Sequence, residues 1–450
     1  MNLQAADRAA EASGSLGQSH FVGQSGSLLI AGNRRLDIEK VLGLLAGGPV
    51  IALGESALFE ADHRSTLRDA TAFGWLNVGA VFGSATRGLP DSVPGTPFPL
   101  NPQRIVAALG LDGLKSVAAA TSLRADGEFA ELRLRIPANG RRGFFRLIQI
   151  DPGESGPPPF VPADAVSFSR TRLDLFLAWQ SLENMLVEIS PQIGGLVRLS
   201  LDSIGKDQDP SFDFRREFLA NLGNDVISWR KTPPAGHPPG ASYEIALIQS
   251  PEPEKLTGAI RMFLRMVPPD LAKVEESTVS GRRVSSLTIQ TGMATAEGGA
   301  APTQTVAFAA TDGYLVMAAG KRLIEEYLNA AGGAGESLSA RRGLAVAAGK
   351  VGGFSTGLFG YSNDLEASRQ SYEDIRSGKA VDSGLKTAGQ MLSALGMARN
   401  LDNVGGWFDP TLLPPFADVE KYFHFSVYSG AVDPEGFTLK FFAPVPPGLE

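Results

Sequence analysis

Only four histidines, His20, His63, His237 and His424, occur in the 450 residues, and no two share a metal-binding spacing on a helix. A serine nucleophile on a strand-to-helix elbow needs G-x-S-x-G; "GQSGS" at 23–27 fails at its last position. A phosphate loop needs four residues between its first glycine and Gly-Lys, then Ser or Thr for magnesium. "GLAVAAGKV" at 343–351 has five between and Val351 after the lysine, and "GYLVMAAGKR" has six, with Arg322 following. "DQDPSFD" brings Asp207, Asp209 and Asp213 together, but a calcium loop of the EF-hand type needs Gly where Phe212 stands. These aspartates read as a polar loop with a helix-capping Asp. The acidic pairs Glu275-Glu276 and Glu325-Glu326 read as surface charge. The aromatic stretches "FGWLN", "WFDP" and "YFHF" would serve either a ligand groove or the core, and aromatics at strand spacing favour the core. No catalytic, cofactor-binding or metal-ligating residue is assigned, and no cofactor.

Composition bounds the rest. Hydrophobic residues make up 43 % and charged residues 20 %, with 52 glycines, 30 prolines and a net charge of −7. Such a chain folds into about two to four domains. The charge gives no reason to expect nucleic acid, whose binding rests on phosphate neutralisation. Five Arg-Arg pairs (Arg34-Arg35, Arg141-Arg142, Arg215-Arg216, Arg282-Arg283, Arg341-Arg342) are scattered along the chain. They read as solvated turn and strand-edge charges, with a composite anion site as the alternative. There is no cysteine, so disulfides, thiolate metal sites and thiol catalysis are excluded. The apolar run "VLGLLAGGPVIALG" at 41–54 is too short to span a membrane, and the first 20 residues do not form a signal peptide.

Elements to position any site come from an internal match. "FGWLN" at 73–77 and "FGYSN" at 359–363 lie 286 residues apart, and nine identities fall over the 40 ungapped positions from Ile38/Ile324 to Asn77/Asn363. Upstream, "LLIAG" and "YLVMAA" read as strands covered on both faces. Leu323, Ile324, Tyr327 and Leu328 make one apolar helix stripe. The shared unit is therefore strand, helix, loop, strand. The shared Gly suits close backbone packing, and the shared Asn ties a strand end to its neighbour. Each copy closes with a hairpin. "SVAAATSL" turns at Asp126-Gly127 into "FAELRLRI", with Ala130, Leu132, Leu134 and Ile136 inward and Glu131, Arg133 and Arg135 outward. "YFHFSVYSG" turns at "DPEG" into "FTLKFFAP".

Between them, "RLDLFLAWQSLENMLVEI" at 172–189 reads as a helix capped by Thr171 with Asp174 three residues on. Strands "DVISWR", "SYEIALIQ", "RRVSSLTIQ" and "QTVAFAA" follow, with a helix from "PEPEKLTGAIRMFLRMV" among them. "PPPFVP" at 157–162 marks a linker and "PPAGHPP" at 233–239 a surface loop. The organisation expected is a polar leader 1–25, a first repeat unit 26–160, a middle module 161–312 and a second repeat unit 313–450. The fold class is α+β, with repeat-built antiparallel sheets and packed helices. Residues 26–77 match only the closing part of a module, so the natural chain is expected to extend upstream.

"VPADAVSFSRTRLDLFLAWQSLENML", "FDFRREFLANLGNDVISW", "TDGYLVMAAGKRLIEEYL" and the closing "LLPPFADVEKYFHFSVYSGAVDPEGFTLKFFAPVPP" resemble bacterial extracytoplasmic proteins of domain-of-unknown-function family 3352. The resemblance covers 161–450 and, through the repeat, part of 26–137. It implies export across the inner membrane and an antiparallel α+β fold. It carries no functional residue with it, and this chain shows no signal sequence.

The leading expectation is a non-catalytic extracytoplasmic binding or structural protein whose partner is a protein or an apolar ligand, with no nucleic acid and no transmembrane segment. Two alternatives stay open. A lipid or apolar-ligand carrier calls for a continuous pocket lined by Phe and Leu of the hairpins. A hydrolase calls for a cleft where Asp207, Asp209, His237 or His424 meets another titratable group with a shifted pKa.

Overall fold

The structure is a computed structural model. It describes residues 2–5, 21–49, 51–66, 69–85, 100–234, 243–265, 267–268, 272–290, 303–330, 335–377 and 412–449. Its contacts divide into two units, Met1–Thr66 and Leu67–Glu450. The chain is α+β, as its alternating patterns imply. No helix among the described residues is long and apolar enough to cross a membrane.

In the first unit, β1 (Asn2–Ala5), β2 (Phe21–Ser25) and β3 (Leu28–Gly32) form an antiparallel sheet. Helix Arg35–Leu45 buries Ile38 and Leu42. It approaches the sheet closely because Gly23 has no side chain: a Cβ there would come within 2.7 Å of Ile38 Cγ2. Both ends of the 1–25 leader are thus strands. β3 is not covered on both faces, since Leu28 and Leu29 are 48 % and 68 % exposed.

The second unit is built on one sheet. Its strands are β4 (Ala72–Asn77), β5 (Ser116–Arg124), β6 (Gly127–Arg135), β7 (Ser167–Arg172), β8 (Asp225–Arg230), β9 (Glu244–Gln249) and β10 (Ala272–Val279). They continue with β11 (Arg282–Gln290), β12 (Thr303–Thr311), β13 (Tyr314–Ala319), β14 (Leu358–Ser362), β15 (Ser426–Asp433) and β16 (Gly436–Pro444). The order is β10-β11-β12-β13-β9-β8-β7-β14-β15-β16-β6-β5-β4, and every pairing is antiparallel. Segments 26–160, 161–312 and 313–450 all contribute strands to it.

Helices cover both faces. On one, Leu323, Ile324 and Leu328 of helix Lys321–Ala330 and Leu344, Ala347, Ala348 and Val351 of helix Leu344–Val351 join Ile227, Val316, Phe359 and Val427 in the main core. On the other, Leu256 of helix Pro253–Arg265 packs with Phe308 and Leu315. β13 is therefore buried on both sides, as its apolar run requires.

The alternation of β6 holds only in part. Ile136 is fully buried and Leu134 packs against the same core cluster, but Glu131 and Arg135 are each only 9 % exposed while Leu132 and Leu134 are half-buried. β6 lies between β5 and β16, and the small Ser116 and Ala120 face Arg135 and Glu131 across the β5 ladder. The charges are also compensated. Arg135 reaches Glu435 at 2.5 Å, Arg133 reaches Asp433 at 3.3 Å, and Lys440 stands opposite Glu131. Burial pushes the Glu131 carboxyl up, and Lys440 and Arg133 pull it back.

Other elements differ in detail. Arg172 ends β7, so the long helix starts later, at Leu175–Ile189. Its cap is Asp174, which accepts from Leu177 N at 2.8 Å; Thr171 lies inside the strand. The loop expected after the first helix of each matching segment contains a second helix, Ala57–Ser65 in one and Leu344–Val351 in the other. β15 begins at Ser426, after a turn of 3₁₀ helix at Glu420–Tyr422, so Tyr422 and His424 are not on the strand. "WFDP" and most of "PPAGHPP" lie outside the described residues, as does 378–411, beyond helix Asp364–Arg376.

Candidate functional site

The proline-rich joint at 157–162 is not a solvated linker. Val161 is fully buried, its carbonyl accepts from Leu338 N at 2.9 Å, and Ala163 N donates to Glu336 O at 2.9 Å. Prolines carry no N–H to satisfy, so such a run packs at little polar cost. A buried polar network fixes its approach. Asp225 is bound by Arg170 Nε and Nη2 at 2.9 and 2.8 Å and by Tyr314 Oη at 2.9 Å. Arg170 Nη1 also donates to Gly156 O at 3.1 Å, and Arg172 Nε to Glu154 O at 2.7 Å. The Asp225 carboxylate thus anchors two arginines that hold residues 154–156, and the chain leaves them for Phe160.

There Phe160 completes a corner of three rings. Its centroid is 6.1 Å from Trp229 and 6.1 Å from Tyr327, and Trp229 and Tyr327 are 5.8 Å apart. The interplanar angles are 48°, 78° and 56°, so the rings stand as walls rather than a stack. Trp229 is placed by β8, opposite Phe168 and Ile245. Tyr327 and Leu323 lie one turn apart on helix Lys321–Ala330. With Pro162, Lys231 and Glu326 these residues line a cavity of about 220 Å³.

The two charged groups of the lining are differently engaged. Lys231 Nζ is 2.9 Å from Asp164. Glu326 Oε1 accepts from Arg322 Nε at 3.0 Å and from Tyr243 Oη at 3.2 Å, which among the described residues leaves Oε2 as the acceptor for an incoming N–H. Burial raises the Tyr327 phenol, with Thr311 opposing through a hydrogen bond. Neutral rings around a carboxylate oxygen suit recognition of an apolar group with a donor.

The residues weighed from sequence lie elsewhere. Asp213 caps helix Phe214–Glu217, accepting from Arg215 N and Arg216 N. Asp209 accepts from Ser211 N and Oγ, which lowers its pKa. His63 stacks on Phe59 at 5.7 Å, and His20 and His237 lie outside the described residues. His424 packs on Phe425 at 4.6 Å; burial, then Arg341, lowers its pKa, and Asp364 opposes. Ser426 Oγ donates to Asp364 Oδ1 at 3.0 Å. An activated serine would donate to the imidazole instead. Lys350 of the glycine-lysine stretch pairs with Asp126.

Both acidic pairs are surface charge, with side chains 59 % (Glu275), 44 % (Glu276), 37 % (Glu325) and 39 % (Glu326) exposed; Glu326 also lines this cavity and Glu276 another. Phe160 was hidden in a proline run and Trp229 at a strand end. Only Tyr327, on an apolar stripe, carried a periodic signal. Compared with family models, curated proteins and solved structures, the chain gives no match.

Proposed function

We propose that the protein is a non-catalytic binding protein whose site is the Phe160–Trp229–Tyr327 corner. The ligand it fits presents a compact apolar group and an amine N–H. The observation that carries this reading is the cavity of about 220 Å³ walled by three steeply inclined rings, with the Glu326 carboxylate at its edge. Ring faces attract cationic nitrogen, and a partly desolvated carboxylate adds to that attraction. Trp229 reports on the site by fluorescence. Benzylammonium should change that fluorescence saturably and bind more tightly than benzyl alcohol. Phe160→Ala should weaken it by about tenfold, that is, about 1.4 kcal/mol. Phe160 is 40 % exposed, so the fold should survive the change. Equal binding of the two probes, or full retention in Phe160→Ala, would sink the reading.

The segments offset by 286 residues are read as a duplication. Supporting this, Arg35–Leu45 and Lys321–Ala330, Ala57–Ser65 and Leu344–Val351, and Ala72–Asn77 and Leu358–Ser362 follow one another as the same kinds of element. β6 and β16 also pair about a centre at Glu131–Lys440, with Arg135 facing Gly436 and Gly127 facing Pro444. Action outside the cytoplasm is proposed on the family resemblance, and fractionation of the native host tests it.

A further inference from the structure

A second cavity, independent of the aromatic corner, lies where the end of helix Pro253–Arg265 meets β10. It measures about 350 Å³ and is lined by Gln208, Arg261, Leu264, Arg265, Val267, Val274 and Glu276. Its charge is unbalanced. Arg261 and, on the neighbouring strand, Arg283 share one close carboxylate among the described residues, and Arg265 lines the same cavity. Glu276 is 3.8 Å from Arg261 Nε and 3.5 Å from Arg283 Nε.

Arg261 is the residue that asks for a partner. Its side chain is 12 % exposed and its Nε donates to Ser285 Oγ at 3.0 Å. Its Nη2 is buried with no hydrogen-bond partner among the described residues. A guanidinium does not deprotonate in a protein, so it cannot escape burial by becoming neutral. Burial, then Arg283, holds Arg261 below the usual arginine range, and Glu276 and Glu254 oppose this. A water can satisfy a hydrogen bond but not the surplus charge; an anion supplies both. The rest of the wall is the aliphatic Leu264, Val267 and Val274, with the polar Gln208 beside them.

We infer that this cavity binds a small aliphatic carboxylate, its anionic group on Arg261 and Arg265 and its alkyl part against Leu264, Val267 and Val274. Arg283, one of the five Arg-Arg positions, adds to the positive field. Two planar guanidinium forks match a carboxylate better than ammonium groups do.

The test is calorimetric titration of the full chain with octanoate and, separately, with inorganic phosphate. Saturable octanoate binding is expected, with phosphate weaker by about tenfold or more. Arg261→Gln and Arg265→Gln should each weaken octanoate binding by about tenfold. Arg265 is exposed, so Arg265→Gln should keep the parent melting temperature and remains informative if Arg261→Gln is poorly folded. Phosphate binding as tight as octanoate would overturn the aliphatic assignment. Absence of heat with either probe at millimolar concentration, or unchanged octanoate affinity in both variants, would overturn the site.

Discussion

Phe73-Gly74-Trp75-Leu76-Asn77 and Phe359-Gly360-Tyr361-Ser362-Asn363 begin as nearly the same words and end in different surroundings. β14 lies between β7 and β15, and Phe359 and Tyr361 are fully buried. β4 is the last strand of the order among the described residues; Phe73 and Trp75 are half-buried and Leu76 is 45 % exposed. Even the shared glycine differs in what it permits. A Cβ on Gly360 would sit 2.0 Å from the Tyr428 ring, whereas one on Gly74 would meet nothing within 4 Å. The position equivalent to Tyr428 in the other hairpin, opposite Gly74, is Ala119. Local sequence sets the strand, and the neighbours set what each residue costs to change.

The largest separation should come from the aromatic position. Tyr361→Ala should lose about 3–5 kcal/mol in urea unfolding, and Trp75→Ala about half as much or less. Equal losses would erase the distinction between central and terminal strand. Tyr361 also sets an alkaline limit that Trp75 cannot. Burial pushes its phenol up to about 12. The unfolded chain then releases that proton first, near pH 10, so stability falls as pH rises from about 10 to about 12. Tyr361→Phe should flatten part of that fall. It should leave neutral-pH stability intact, because the hydroxyl is buried without a partner among the described residues.

The glycines come next. Gly360→Ala should cost about 1–3 kcal/mol by overpacking, and Gly74→Ala should stay within about 0.5 kcal/mol. Thermal melts of the two variants side by side decide it. A loss at Gly74 as large as that at Gly360 would mean that strand conformation, rather than Tyr428, demands the glycine.

The smallest effect reverses the order. Asn77 Oδ1 accepts from Ala80 N at 2.9 Å, at the start of helix Val78–Ala85. Asn363 stands at the start of helix Asp364–Arg376, but its side chain makes no cap bond. Asn77→Ala should therefore cost about 1 kcal/mol, and Asn363→Ala a few tenths. At Asn77 the side chain caps the next helix, whereas at Asn363 the backbone N–H donates to Val166 O at 2.7 Å and ties the strand end to its neighbour.

Much of the framework was legible. The hairpin at Asp126-Gly127 and the one at "DPEG" were marked by turn chemistry, and strands "DVISWR" and "RRVSSLTIQ" by apolar pattern. The aromatic corner was not, because Phe160, Trp229 and Tyr327 come from a loop, a strand and a helix with no common spacing. Nor was the basic cavity, which needs Arg261 of a helix beside Glu276 of β10. The burial of Glu131 and Arg135 was likewise hidden, since alternation tells which residues share a face but not which face is covered.

The sequence by itself determined many of the strands and helices, because hydrophobic period, turn residues and caps act over a few neighbouring residues. Tertiary structure alone decided that the thirteen strands make one sheet, with β14 enclosed and β4 at its end. It also decided which side chains converge on each cavity. Those outcomes depend on contacts between residues tens to hundreds of positions apart, and no local pattern encodes such contacts.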